Sequence, residues 1–80
     1  MKALVIIRLK DGILDPQGEA VRQAVRALDK AKVSNVRIGK IIEIEIDGAD
    51  KTSAEKSVKA MCDKLLANPV TEDYQIVDIS

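Results

Sequence analysis

The sequence predicts one α+β domain over residues 1–80, in the order β-α-β-α-β, on three grounds. The stretch VRIGKIIEIEI, Val36 to Ile46, puts Val36, Ile38, Ile42, Ile44 and Ile46 on one face and Arg37, Glu43 and Glu45 on the other, the two-residue period of a half-buried strand. Two other segments repeat apolar residues every three to four positions, as amphipathic helices do. Short apolar runs near the two ends supply the remaining strands.

Lys2 to Lys10 is the first strand, with Ala3, Val5, Ile7 and Leu9 on one face and Leu4 and Ile6 on the other. Apolar residues on both faces place it centrally, or against a partner. Lys10 to Gly12 form a loop. Asp15 then caps a helix whose first residue is Pro16, a position where the missing N–H costs nothing. Gly18 in that first turn costs helix propensity, up to about 1 kcal/mol relative to alanine. Either a neighbouring strand packs tightly there, or a ligand or another backbone approaches the positive end of the helix dipole. Ala20, Val21, Ala24, Val25, Leu28 and Ala31 form the buried stripe, and Lys30 and Lys32 suit the helix C-terminus.

The Val36–Ile46 strand spans roughly 36 Å at about 3.3 Å per residue, about twice a typical strand. Part of it is therefore expected to meet another chain. Gly39 marks a bend, a bulge or a close backbone approach, and Lys40 stays on the isoleucine face near an edge or seam. Asp47 to Asp50 turn the chain, with Gly48 and Ala49 between them, and Thr52 with Glu55 has capping-box spacing. Ala54, Val58, Met61, Cys62, Leu65 and Leu66 give the stripe of the second helix, which ends at Asn68–Pro69. Glu72 and Asp73 form an acidic step before the last strand, Tyr74 to Ile79. Together these elements suggest a ferredoxin-like relative whose two middle strands merge into one long bent strand, with both helices on one sheet face. The other face is then too apolar for water, and a homodimer is the natural completion.

Composition narrows the function. Thirteen basic residues balance thirteen acidic ones, and the one aromatic is Tyr74, so neither the basic field nor the stacking platform of a nucleic-acid binder is present. There is no histidine, the commonest general base and metal ligand. The single cysteine, Cys62, rules out an internal disulfide or a thiolate zinc site. No apolar run approaches the roughly 18 residues of a membrane span, and Arg8 and Lys10 close the N-terminal run too soon for a signal peptide. The expected compartment is the cytoplasm, with no membrane or nucleic-acid partner and no catalytic or metal site.

LDPQG at Leu14 to Gly18, VRIGK at Val36 to Lys40 and MCDKLLANPVTEDY at Met61 to Tyr74 resemble the PurS family, small subunits of phosphoribosylformylglycinamidine (FGAM) synthase in purine biosynthesis. The resemblance covers essentially the whole chain; Thr71 departs from it, where the family pattern carries an aliphatic residue. It implies a non-catalytic role. A glutaminase subunit, PurQ, releases ammonia, a synthetase subunit, PurL, uses it with ATP and magnesium, and the small subunit, as a homodimer or tetramer, bridges the two and assists ammonia transfer. No cofactor is expected in this subunit. Partner contacts are expected where local fold rules are least well served and the resemblance is carried: Asp15, Gln17, Gly18, Arg37, Lys40, Asn68, Glu72, Asp73 and Tyr74. The alternative is a ferredoxin-like regulatory module that binds a small metabolite at a helix start or dimer seam.

Overall fold

The computed structural model describes residues 1–29, 32–48 and 50–80; Lys30 and Ala31 of the expected first helix and Ala49 of the expected turn lie outside them. The order is β1 (Lys2–Leu9), α1 (Pro16–Asp29), β2 (Gly39–Glu45), α2 (Lys51–Met61) and β3 (Glu72–Ile79). The three strands form one antiparallel sheet in the order β2-β1-β3, so the doubly apolar β1 is central. This is the α+β, ferredoxin-like-related arrangement that the alternation and the two helical stripes predict.

Register assigns the two faces. Ala3, Val5 and Ile7 pair with Ile44, Ile42 and Lys40 of β2 and with Ile79, Ile76 and Tyr74 of β3. That face carries α2. Leu4 and Ile6 lie on the open face, opposite Glu43 and Ile41. In β3 the pairing jumps from Asp78 to Ile76 between Leu4 and Val5, leaving Val77 as an extra residue. The bulge resets the two-residue period, so both Ile76 and Ile79 point inward and Asp78 stays out.

Ala54, Val58 and Cys62, spaced by four, bring one row of α2 onto Ala3, Val5 and Ile7, and this set is the buried core. The expected stripe is narrower than the sequence suggests, since Leu65 is 80% exposed and Met61 stands at the rim. The cause is a π-helical turn over Cys62–Leu66, in which the Ala67 N–H reaches the Cys62 carbonyl at 3.2 Å. With the inward positions Cys62 and Ala67 five apart instead of four, Ala67 takes the core place and Leu65 swings out. The cap also differs. Asp50, not Thr52, accepts the Ser53 N–H at 2.7 Å, because aspartate outranks threonine at that position and starts the helix two residues earlier.

β2 is shorter than the alternation suggests. Val36 to Ile38 lead into it without joining the ladder, and all seven of its residues pair with β1. No part of β2 runs on past β1, and its outer edge is open. Its far end is tied by Met1, whose carbonyl accepts from the Ile46 N–H at 2.7 Å.

What projects instead is α1. It begins over the Leu9 end of the helix-bearing face, where Pro16 and Gln17 lie near Ile7 and Leu9, and then leaves the sheet. Past Gly18 its apolar stripe meets no sheet, with Val21 40% and Leu28 89% exposed. The chain returns beside it, Val33 and Ser34 lying near Arg22 and Arg26 and Val36 near Gly18. The radius of gyration, 16.0 Å, well exceeds the roughly 12 Å of a compact domain this long, and the greatest extent is 51 Å.

Candidate functional site

Five of the nine residues singled out from the sequence converge where the arm joins the sheet. Asp15 is only 8% exposed. Its Oδ1 accepts the Gly18 N–H at 2.8 Å, which caps α1, and its Oδ2 accepts the Ile38 N–H at 2.8 Å, which ties the returning chain to the helix start. Those two N–H donors, with the Arg37 charge nearby, hold the Asp15 carboxyl below the usual carboxylate range against the opposing effect of desolvation. Gly18 is explained at the same point: a β-carbon there would sit 2.2 Å from the Val36 carbonyl oxygen. The approaching backbone is the chain's own. Gly39 likewise lies against β1, where a β-carbon would come within 2.5 Å of the Ile7 carbonyl oxygen.

Arg37 closes the same clasp. Its guanidinium donates to the carbonyls of Leu9 and Lys10, each at 3.0 Å, and of Ile13 at 3.3 Å. A side chain expected to reach a partner's acids thus staples the β1–α1 loop. Gln17 and Lys40 remain exposed and line an open cleft of about 410 Å³ with Ile7, Leu9, Ile38 and Glu72. Lys40 keeps to the isoleucine face at the sheet edge, and makes no ion pair among the described residues.

The remaining four residues form a second cluster at the α2–β3 turn. Asn68 and Glu72 hold each other: the Asn68 carbonyl accepts the Glu72 N–H at 2.7 Å, and Glu72 Oε1 accepts the Asn68 N–H at 2.8 Å. Asn68 Oδ1 also accepts the Val70 N–H at 2.9 Å. Glu72 and Asp73 pair with Leu9 and Arg8 of β1, and so belong to β3 rather than preceding it. Tyr74 donates its hydroxyl to Asp63 Oδ1 at 2.8 Å, and that carboxylate, with some desolvation, raises the phenol above its usual range. Asp63, in the π-helical turn 11 residues before Tyr74, is a partner that sequence reasoning missed. Lys10, Asp63, Glu72, Asp73 and Tyr74 line a cleft of about 470 Å³. Cys62 at its base is fully buried, and burial followed by the Asp63 charge raises its thiol, an environment that suppresses the nucleophilic thiolate.

Charge is unevenly placed over this frame. Residues 16–38 carry five basic and two acidic side chains, a net +3, which leaves the remainder of the neutral chain at −3. Among the described residues no helix is long and apolar enough to cross a membrane.

Comparison with known proteins places this geometry. Residues 2–78 match the family described as PurS: Phosphoribosylformylglycinamidine (FGAM) synthase. The FGAM synthase subunit PurS of Archaeoglobus fulgidus is 44% identical over 77 residues, 96% of each chain. The crystal structure of Methanocaldococcus jannaschii PurS, a subunit of formylglycinamide ribonucleotide amidotransferase in the purine biosynthetic pathway, superposes with a TM-score of 0.82 at 41% identity, covering 94% of this chain and 90% of that one. A chain of the Thermotoga maritima structure described as PurLQS gives a TM-score of 0.84 at 30% identity, covering 99% of both. Matched by the family model over residues 2–78 and by a relative 44% identical across 96% of its length, the chain belongs to the PurS family.

Proposed function

We propose that this protein is the non-catalytic small subunit of an FGAM synthase complex, a homodimer that bridges the glutaminase PurQ and the synthetase PurL and assists the passage of ammonia between them. The observation that carries the reading is the unpartnered arm. Its stripe residues Val21 and Leu28 stand exposed, while α2 leans toward β3 and leaves Ile42, Ile44 and Ile46 of the sheet only partly covered. A second copy's α1 laid over that isoleucine row covers both apolar surfaces at once. The exchange is reciprocal, as a two-fold interface requires.

The three-subunit make-up of the T. maritima relative supports the wider assembly. ATP and magnesium then belong to the synthetase, this subunit holds no cofactor, and the complex works in the cytoplasm. The metabolite-binding alternative is less favoured, because the start of α1 is already occupied by the Asp15 carboxylate. Reconstitution tests the proposal: glutamine-dependent FGAM synthesis is expected to need all three subunits, and ammonia-dependent synthesis by PurL alone to need this chain much less. If PurL and PurQ convert glutamine at the full rate without it, the bridging role is refuted.

A further inference from the structure

The arm exchange leaves the opposite face of the sheet untouched. Register sets Leu4, Ile6 and Ile41 side by side at its centre, and Ile41 is 64% exposed; Val77, in the bulge, is 46% exposed. Four carboxylates border this strip, Glu43 and Glu45 on β2 and Asp73 and Asp78 on β3. Among the described residues of the three strands, the cations on this face are Lys2 and Arg8, at the two ends of β1. Lys2 approaches Glu43 at 3.9 Å and Arg8 stands opposite Asp73 in the ladder register, and four carboxylates against two cations leave the face at a net −2.

From this pattern we infer that the open face docks a different protein, one presenting aliphatic side chains inside a border of lysine or arginine. An apolar strip supplies burial, and the acidic border supplies orientation and rejects like-charged surfaces. A second copy fits poorly. Laying this face on itself would bring two net-negative surfaces together while removing water from both. The inference rests on the bridging reading, and extends it: a dimer joined through its arms carries two such acidic faces, turned toward other subunits.

The test uses the full chain and the purified cognate PurL and PurQ, each titrated separately by calorimetry. Ile41→Lys combined with Asp78→Lys changes exposed positions only, so the melting temperature and the dimer seen by light scattering should match wild type. The Kd for one of the two subunits should rise at least tenfold, and wild-type binding should weaken as salt is added. Asp78→Asn alone repeats the measurement with a gentler change should the double variant melt early, and is expected to weaken binding in the same direction. Unchanged affinity for both subunits, or a variant that turns monomeric, overturns the inference. If wild type binds neither subunit, the bridging reading itself has failed and the docking face falls with it; if wild type binds and the variants bind equally well, only the face is wrong.

Discussion

The two helices of this protein carry similar apolar stripes and meet opposite fates. α2 places Ala54, Val58 and Cys62 against the central strand and buries all three, whereas α1 leaves Val21 and Leu28 in solvent. The difference is not in the helices but in what stands opposite them. The clasp at Asp15 and Ile38 holds the start of α1 at the sheet's end, and no strand covers Val21 or Leu28 beyond it. Amphipathic periodicity therefore tells which side of a helix wants burial and says nothing about whether the surface that buries it is in the same chain.

The sharpest way to break this comparison is to place a charge in each half. Val58→Asp puts an unpaired carboxylate into a fully buried site and should cost at least about 3 kcal/mol, seen as loss of the far-UV signal or a collapse of the urea midpoint at every protein concentration. Val21→Asp with Leu28→Asp should instead leave the sheet folded, shift light scattering to the monomer, and make the melting temperature independent of protein concentration. An arm variant that unfolds as completely as Val58→Asp would show that the two halves are not energetically distinct.

A smaller effect is expected at the join between them. Gly18→Ala should gain helix propensity yet destabilise, by about 1–2 kcal/mol, because its β-carbon meets the Val36 carbonyl at 2.2 Å. A thermal melt decides the sign, and a stabilised variant would mean that the join yields easily. Acid acts on the same place. The folded-state pKa of Asp15 lies below its ordinary 3.8, so the stability it contributes is fully present above that value and is lost as pH falls through the depressed one. Wild type should therefore lose stability in this acid window, and Asp15→Asn should flatten that part of the pH profile. The smallest change is Leu65→Ser, at a position pushed outward by the π-helical turn; stability should move by no more than about 0.5 kcal/mol.

Much of the fold was legible because local patterns and tertiary contacts agree. The two apolar faces of β1 announced its central place, Asp15–Pro16 marked the start of α1, and the Cys62 row of α2 was correct. What escaped reading depends on contacts far apart in sequence. Alternation continues through Val36 and Ile38, but the Ile38 N–H is taken by Asp15, 23 residues away, so the ladder starts only at Gly39. The wide turn after Met61 left no mark in the periodicity, and with it Leu65 changed sides. For the candidate residues, type and neighbourhood were readable but direction was not: Arg37 satisfies three carbonyls of its own chain, whereas Lys40 stays exposed.

The Asp15 carboxylate joins both ends of the arm at one point, and this has a consequence for how the chain divides into modules. Residues 16–37 leave the sheet and return to it within the reach of a single side chain. The excursion is therefore an insert, and a short turn from Asp15 to Ile38 could replace it without moving a strand. The excised body would keep β1, β2, β3 and α2 with the core they share, and the arm would become a cassette exchangeable between family members.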